Sequence, residues 1–399
     1  MTPRLRVLVI GERFWPEYGG WIGQTIRLLS LQQPDDTSFL LVVRAADRAG
    51  AQRLLPQAEI RQVGPAPRSH GFLGTLLFGL AASAYVLRNR ATYDVLYLPI
   101  SHYPAPLMLL CARLAAKPIV LRIAGAELGL KSISAITRKL LLRLADRVVV
   151  LNDDTRRLAI DAVGCVSKVA LIPNGVDPQK YRPASAYERL RLRSDFGLDT
   201  ADPVIVFVGS MCRRKGVHIL LEACRILASS IPIRLVLAGP ETGTTEADSA
   251  YTRALHELAD SQPLRGKVLF LGRIDTVDRL LRVADVFVLP STSEGMPNSL
   301  IEAMASGVPC IGTDIPGIRD IIEPDRTGLL VPPGDAISLA KAIYQIISDP
   351  HRAGRLAYAG RETITASHSA DVMACRYRAL FWSVFTERSQ SYRPPGDHP

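Results

Sequence analysis

The sequence predicts an α/β protein built from two doubly wound, Rossmann-like domains. Three observations lead there. First, 399 residues exceed the roughly 250–300 that one hydrophobic core usually serves, and the composition, 48% hydrophobic and 22% charged, is that of a globular chain. Second, short uninterrupted apolar runs ending in Gly or Pro alternate with helical patterns, as buried parallel strands joined by crossover helices require. Third, the series stops in a polar stretch and begins again at Val204.

In the first series, Leu5–Ile10 reads as a buried strand emptying into a loop that ends Tyr18-Gly19-Gly20, before a helix from Ile22 to Leu31. Strands follow at Phe39–Val43, Glu59–Val63, Val95–Leu98, Pro118–Ile123, Arg147–Leu151 and Lys168–Ile172. Helical patterns lie between them at Phe72–Arg88, Pro106–Ala115, Ser134–Ala145 and Asp153–Val163. Turn residues Ile172–Pro178 close this half, so a first domain over 1–180 is expected.

Tyr181 to Asp202 is polar and holds a short helix. The second series has strands at Val204–Val208, Ile233–Ala238, Lys267–Leu271, Val286–Leu289, Pro309–Gly312 and Gly328–Val331. Its helices are Val217–Ala228, Ser249–Asp260, Thr276–Val283 and Ser299–Ser306, giving a second domain over 181–370. Helices at Ala336–Ser348 and Arg352–Ser367 follow, then one over about 371–388, and 389–399 reads as a flexible tail.

The formal net charge of +10 is confined to the first half. Residues 1–180 carry 23 lysines and arginines against 13 acids, and residues 181–399 carry 25 against 25. An anionic partner is expected there: a lipid surface, a phosphorylated acceptor or, least so because no RNA- or DNA-binding motif is evident, nucleic acid. Phe72–Leu87 is uncharged over sixteen residues and precedes Arg88 and Arg90. That is short of the ~20 apolar residues that span a bilayer, so the segment reads as a core helix or an interfacial one. The six cysteines show no metal or redox spacing, and no signal-peptide pattern opens the chain; a reduced, cytoplasmic protein is expected.

Two strand-end loops of the second domain carry candidate chemistry. Gly209-Ser210-Met211-Cys212-Arg213-Arg214-Lys215-Gly216 puts three adjacent cations between a strand and a helix. Such a loop suits a diphosphate, with Arg forking onto its oxygens and Lys acting as a point charge, or else is an exposed basic turn. Ser293-Glu294-Gly295-Met296-Pro297-Asn298-Ser299-Leu300-Ile301-Glu302 leaves a later strand and enters a helix whose first N–H groups favour phosphate. Glu302 also fits a capping box with Ser299, whereas Glu294, in a Gly-flanked loop, has no such structural role. His102, after a strand end, is a lone loop histidine.

Residues Ile172–Asp177, Val206–Gly216 and Ala284–Gly317 resemble glycosyltransferase family 4, of the GT-B fold. The likeness is close over the second half; in the first it rests on Tyr18-Gly19-Gly20 and the architecture. The resemblance implies two domains facing across a cleft, a nucleotide-sugar donor held mainly by the second, an acceptor presented by the first, a last helix, about 371–388, packing back on the first, and transfer with retention of configuration and no metal or other cofactor. Position by position it implies Arg214 and Lys215 on the donor diphosphate, Glu294 on the transferred sugar, Glu302 on the ribose, and Gly20 admitting the diphosphate to the first domain's backbone. Gly19, Gly209, Arg213, Gly295, Met296, Pro297, Asn298 and Ser299 complete the expected binding set. Two positions depart from the pattern: Ala124 stands where relatives carry His, with Glu127 and His102 weak substitutes, and Ser210 where many carry Arg.

The expected activity is a retaining, hexosyltransferase-type glycosyl transfer from a nucleoside diphosphate sugar to a hydroxyl acceptor, in cell-surface polysaccharide or glycolipid assembly. Carbohydrate and lipid-linked acceptors both fit, with a peripheral site on the inner face of the membrane. A nucleotide-sugar epimerase of similar architecture is the alternative enzyme, and an inactive nucleotide-sugar-binding protein the non-enzymatic one. Product analysis separates the three.

Overall fold

The computed structural model describes residues 4–11, 20–31, 36–43, 52, 55–56, 58–64, 72–99, 105–123, 139, 142–198, 201–241 and 246–391. Two compact units are present, Met1–Gly175 with Ala370–Pro399, and Val176–Ser369. The chain changes unit five residues before the expected boundary. Asn174 and Gly175 belong to the first unit because its side chains hold them. Gln24 both donates to the Gly175 carbonyl (2.9 Å) and accepts from its N–H (3.0 Å), and the buried Arg122 donates to Asn174 Oδ1 at 2.6 Å.

The first unit contains β1 (Leu5–Gly11), α1 (Gly20–Ser30), β2 (Thr37–Val43), β3 (Glu59–Gln62), α2 (Phe72–Arg88), β4 (Val95–Leu98), α3 (Ala105–Leu114), β5 (Ile119–Arg122), β6 (Arg147–Val150), α4 (Asp153–Val163) and β7 (Val169–Leu171). Its sheet has the order β3-β2-β1-β4-β5-β6-β7, with every pair parallel. Alternate residues of each strand feed opposite faces. Leu8, Leu96 and Leu121 join Phe78 and Val86 of α2 and Leu109 of α3, whereas Val7, Leu41 and Tyr97 fill the other face. α4 is bounded as its sequence requires: Asn152 accepts the Thr155 N–H at 2.7 Å, and Gly164 ends it at φ 75°. The helix expected at Ser134–Ala145 lies largely outside the described residues.

The second unit contains α5 (Ala186–Asp195), β8 (Val204–Val208), α6 (Val217–Ala228), β9 (Arg234–Ala238), α7 (Glu246–Asp260), β10 (Val268–Gly272), α8 (Val277–Leu281), β11 (Val286–Leu289), α9 (Asn298–Ala305), β12 (Cys310–Thr313), β13 (Leu329–Val331), α10 (Ala336–Ser348) and α11 (Pro350–Ser367). The parallel order β10-β9-β8-β11-β12-β13 is that of the doubly wound fold. The direction in which successive strands are added reverses between the parallel neighbours β8 and β11, so the loops after these two strands flank a crevice. Asp285, at the entry to β11, accepts from Val204 N at 2.7 Å and pairs with Arg189 (2.7 Å) and Arg193 (2.5 Å). It locks the strands at the opposite edge from those loops and takes no part in the site.

The last helix, α12 (Ala370–Ser391), runs three residues beyond 388, into the segment expected as tail. It belongs to the first unit, where Met373, Tyr377 and Phe381 pack against Val7, Leu41 and Tyr97. The rings of Tyr97 and Phe381 meet edge to face at 5.4 Å. The rest of the expected tail lies outside the described residues. All six cysteines are free. Among the described residues, no helix is long and apolar enough to cross a membrane.

Candidate active site

The crevice at the switch point of the second unit is built by backbone before any side chain enters. Gly209 and Gly239 end adjacent strands, and a Cβ on Gly239 would lie 1.9 Å from the Gly209 carbonyl oxygen. Only glycine permits that approach. Past Met211 the chain makes one 3₁₀ turn over Arg213–Lys215, ended by Gly216 at φ 66°. A Cβ on Gly216 would stand 2.0 Å from the carbonyl oxygen of Pro290, so the basic turn lies directly on the end of β11. Thr292 N then donates to the Arg214 carbonyl at 2.8 Å, stitching the two loops together.

This stitching converges two cations on one carboxylate. Lys215 Nζ donates to Glu294 Oε1 at 2.6 Å, and Arg214 Nη1 lies 3.2 Å from the same oxygen while donating to Ser293 O at 2.7 Å. Glu294 is 8% exposed, the Lys215 side chain 12% and that of Arg214 48%. The cluster carries two cations and one carboxylate, so a net positive charge faces the crevice. Glu294 spends one oxygen on the pair, and both cations keep N–H donors for a second anion.

Arg213 parts from its neighbours. A 3₁₀ turn advances about 120° per residue, so three consecutive side chains cannot face one anion. Arg213 stands over the Tyr251 ring, 5.1 Å from its centroid, and Tyr251 Oη meets His218 Nδ1 at 2.9 Å. Burial, then the Arg213 charge, hold the His218 imidazole below its usual pKa.

The Glu294 loop is shaped from behind. Gly317, at φ 80°, lies where a Cβ would be 2.3 Å from Gly295 O and 2.8 Å from Glu294 O. Thr313 donates its hydroxyl to the Ser291 carbonyl, and Ser291 is fully buried. Met296 and Pro297 are buried, and Asn298 and Ser299 half-buried, as the chain enters α9. The alternative reading of Ser299 and Glu302 as a capping box does not match the start of the helix. Pro297 is the N-cap, with no side-chain cap bond, so Ser299 falls second in α9 and Glu302 fifth. The first turn of α9 begins beside the Glu294 loop, and Glu302, half-buried, stands a turn further in.

The second unit therefore gathers Gly209, Arg214, Lys215, Glu294 and the start of α9 at one switch point. In the first unit, Gly20 opens α1. Gly19, His102, Ala124 and Glu127 lie outside the described residues. Thr292, Gly317 and Tyr251 were not singled out from the sequence. The Pro-Gly pair at 316–317 was a readable signal; the other two contacts depend on how the strands are ordered. Among the described residues no group of three or more His, Cys, Asp or Glu side chains could hold a metal ion.

Family models match both halves of the chain: Glycosyltransferase Family 4 over residues 34–180 and Glycosyl transferases group 1 over residues 188–363. A GDP-mannose-dependent monoacylated alpha-(1-6)-phosphatidylinositol monomannoside mannosyltransferase of Corynebacterium glutamicum is 27% identical over 96% of this chain and 99% of its own. The lipopolysaccharide core biosynthesis glycosyltransferase LpsE of Rhizobium meliloti is 35% identical, over 47% of this chain and 52% of LpsE. With EpsD of Bacillus subtilis the match likewise spans little more than half, 55%, of the relative. The crystal structure of Anabaena Alr3699/HepE in complex with UDP and glucose shares the fold at a TM-score of 0.79 and 22% identity, covering 95% of this chain and 100% of that one.

Proposed function

The chain belongs to the glycosyltransferases of the GT-B fold, and from that premise we propose that it moves a sugar from a nucleoside diphosphate to a hydroxyl acceptor with retention of anomeric configuration. The observation that carries the reading is the Arg214–Lys215–Glu294 cluster at the switch point. Glycosyl transfer passes through an oxocarbenium-like state as negative charge grows on the departing diphosphate. Arg214 and Lys215 meet that charge with donors already in place, where fixed donors contribute most. Glu294, held by the same cations, faces the positive sugar. Glu302 takes the ribose hydroxyls, and the first turn of α9 takes phosphate oxygens.

Metal independence belongs to the proposal, because two fixed cations supply the charge that a divalent ion would bring to a diphosphate. The chemistry of the donor agrees with the relatives: one is named for GDP-mannose, and HepE holds UDP with glucose. A lipid-linked acceptor agrees with a phosphatidylinositol mannoside mannosyltransferase, a lipopolysaccharide core enzyme and the basic first half of this chain. We place the reaction on the cytoplasmic face of the membrane, in cell-surface polysaccharide or glycolipid assembly. The test is a panel of UDP- and GDP-sugars with product identification by NMR. A new α-linked glycoside from an α-linked donor is expected, falling at least a hundredfold in Glu294→Gln; an inverted product, epimerisation without acceptor, or no donor turnover at all refutes the reading.

A further inference from the structure

Two neighbouring helices of the first unit bury one apolar side and expose another. On α2, Phe78, Ala82 and Val86 pack on the sheet. Leu73, Leu76, Leu77, Leu80 and Leu87 point outward, and Leu73 is 65% exposed. These positions recur at steps of three, four and seven residues, the spacing of a single helical stripe. α3, which packs beside α2, repeats the arrangement with Met108, Leu109 and Ala112 inward and Leu107, Leu110 and Leu114 outward, Leu114 being 68% exposed. A lone exposed leucine is ordinary, but a field of them shared by two packed helices marks a contact surface.

Charge says what the surface meets. Neither helix contains an acidic residue; α2 ends on Arg88, exposed, and Arg90, also exposed, follows two residues later. From these features we infer that the leucine face of α2 and α3 docks on an anionic bilayer, with the leucines in the outer acyl region and Arg88 and Arg90 at lipid phosphates. A helix of 17 residues is about 25 Å long, suited to lying in the interface plane and too short to cross. A second copy of the chain fits less well, because a two-fold contact brings the same basic surface against itself. The inference rests on the reading of a lipid-linked acceptor, and it names the surface that reaches it.

The test is co-flotation of the full chain with vesicles of phosphatidylcholine alone or mixed with phosphatidylglycerol, alongside sedimentation without lipid. Wild type is expected to float with the mixed vesicles. Leu73→Ser, Leu80→Ser, Leu110→Ser and Leu114→Ser combined should lower partitioning at least about tenfold, with melting and lipid-free donor hydrolysis unchanged. Arg88→Gln with Arg90→Gln should erase roughly 25-fold of the preference for the anionic vesicle, about fivefold per basic residue. A wild type that does not float, a leucine variant that floats as well, or a dimer in sedimentation that those substitutions break without any flotation overturns the inference. Flotation without donor turnover sustains the docking face and removes the glycosyl-transfer reading instead.

Discussion

Replacing Lys215 with Met removes a charge from the Glu294 cluster while keeping an apolar stem of similar length. Breaking a buried ion pair costs about 3–5 kcal/mol, chiefly because the surviving charge is left uncompensated. Glu294 is 8% exposed, but Arg214 still lies 3.2 Å from it and reaches solvent, so the cost here is about 2 kcal/mol. For a unit of the size of Val176–Ser369 that lowers the melting temperature by roughly 4–8 °C. Adding Glu294→Gln removes the stranded carboxylate and should restore at least half of that loss. Activity should follow the opposite logic. If Lys215 meets the leaving diphosphate as proposed, both variants lose that cation, so transfer falls about 10²–10³-fold in the single and does not recover in the double. The assays are thermal melting and product-identified transfer on the same preparations. A double variant that regains activity along with stability, or a Lys215→Met protein that melts and turns over as wild type does, refutes the assignment.

Other outcomes follow from the same geometry. Gly317→Ala, at φ 80° against the Gly295 carbonyl, should cost about 2–4 kcal/mol in urea unfolding, whereas Gly354→Ala, inside α11 with open space around it, should gain roughly 0.5–1 kcal/mol; equal midpoints would contradict the close approach behind the Glu294 loop. His218 has a folded pKa depressed by burial and by Arg213. Its contribution is therefore present above the ordinary imidazole pKa of about 6.5 and lost as pH falls below it toward the folded value. His218→Gln should flatten that part of the melting-temperature profile, and an unchanged slope between about pH 7 and pH 5 would remove His218 as its source.

Secondary structure was legible because the physics behind it is local. Val95–Leu98, Val204–Val208 and Val286–Leu289 are short apolar runs closed by turn residues, and the structure has strands with those same bounds. Where the reading slipped, a neighbour decided. Ser299 and Glu302 also match a capping box, but α9 begins at Asn298 and Pro297, extended at ψ 116°, takes the cap position two residues before Ser299. Arg213, Arg214 and Lys215 read as one cationic patch, yet the 3₁₀ turn sends Arg213 to Tyr251 and the other two to Glu294.

By itself, the sequence determined the repeated strand–helix series, the two doubly wound units and the residue types at the strand ends. All of these depend on periodicity and turn chemistry within a few residues of one another. The tertiary structure alone decided that the loop after β8 and the loop after β11 meet. That requires β8 and β11 to be neighbours at the reversal of the sheet, with Gly216 close against Pro290. Nothing in the 79-residue separation of Lys215 and Glu294 encodes their 2.6 Å contact. The leucine field divides in the same way: the uncharged run from Phe72 to Leu87 was plain in the chain, but its partner on α3, and the exposed side they share, came from how the two helices pack on the sheet.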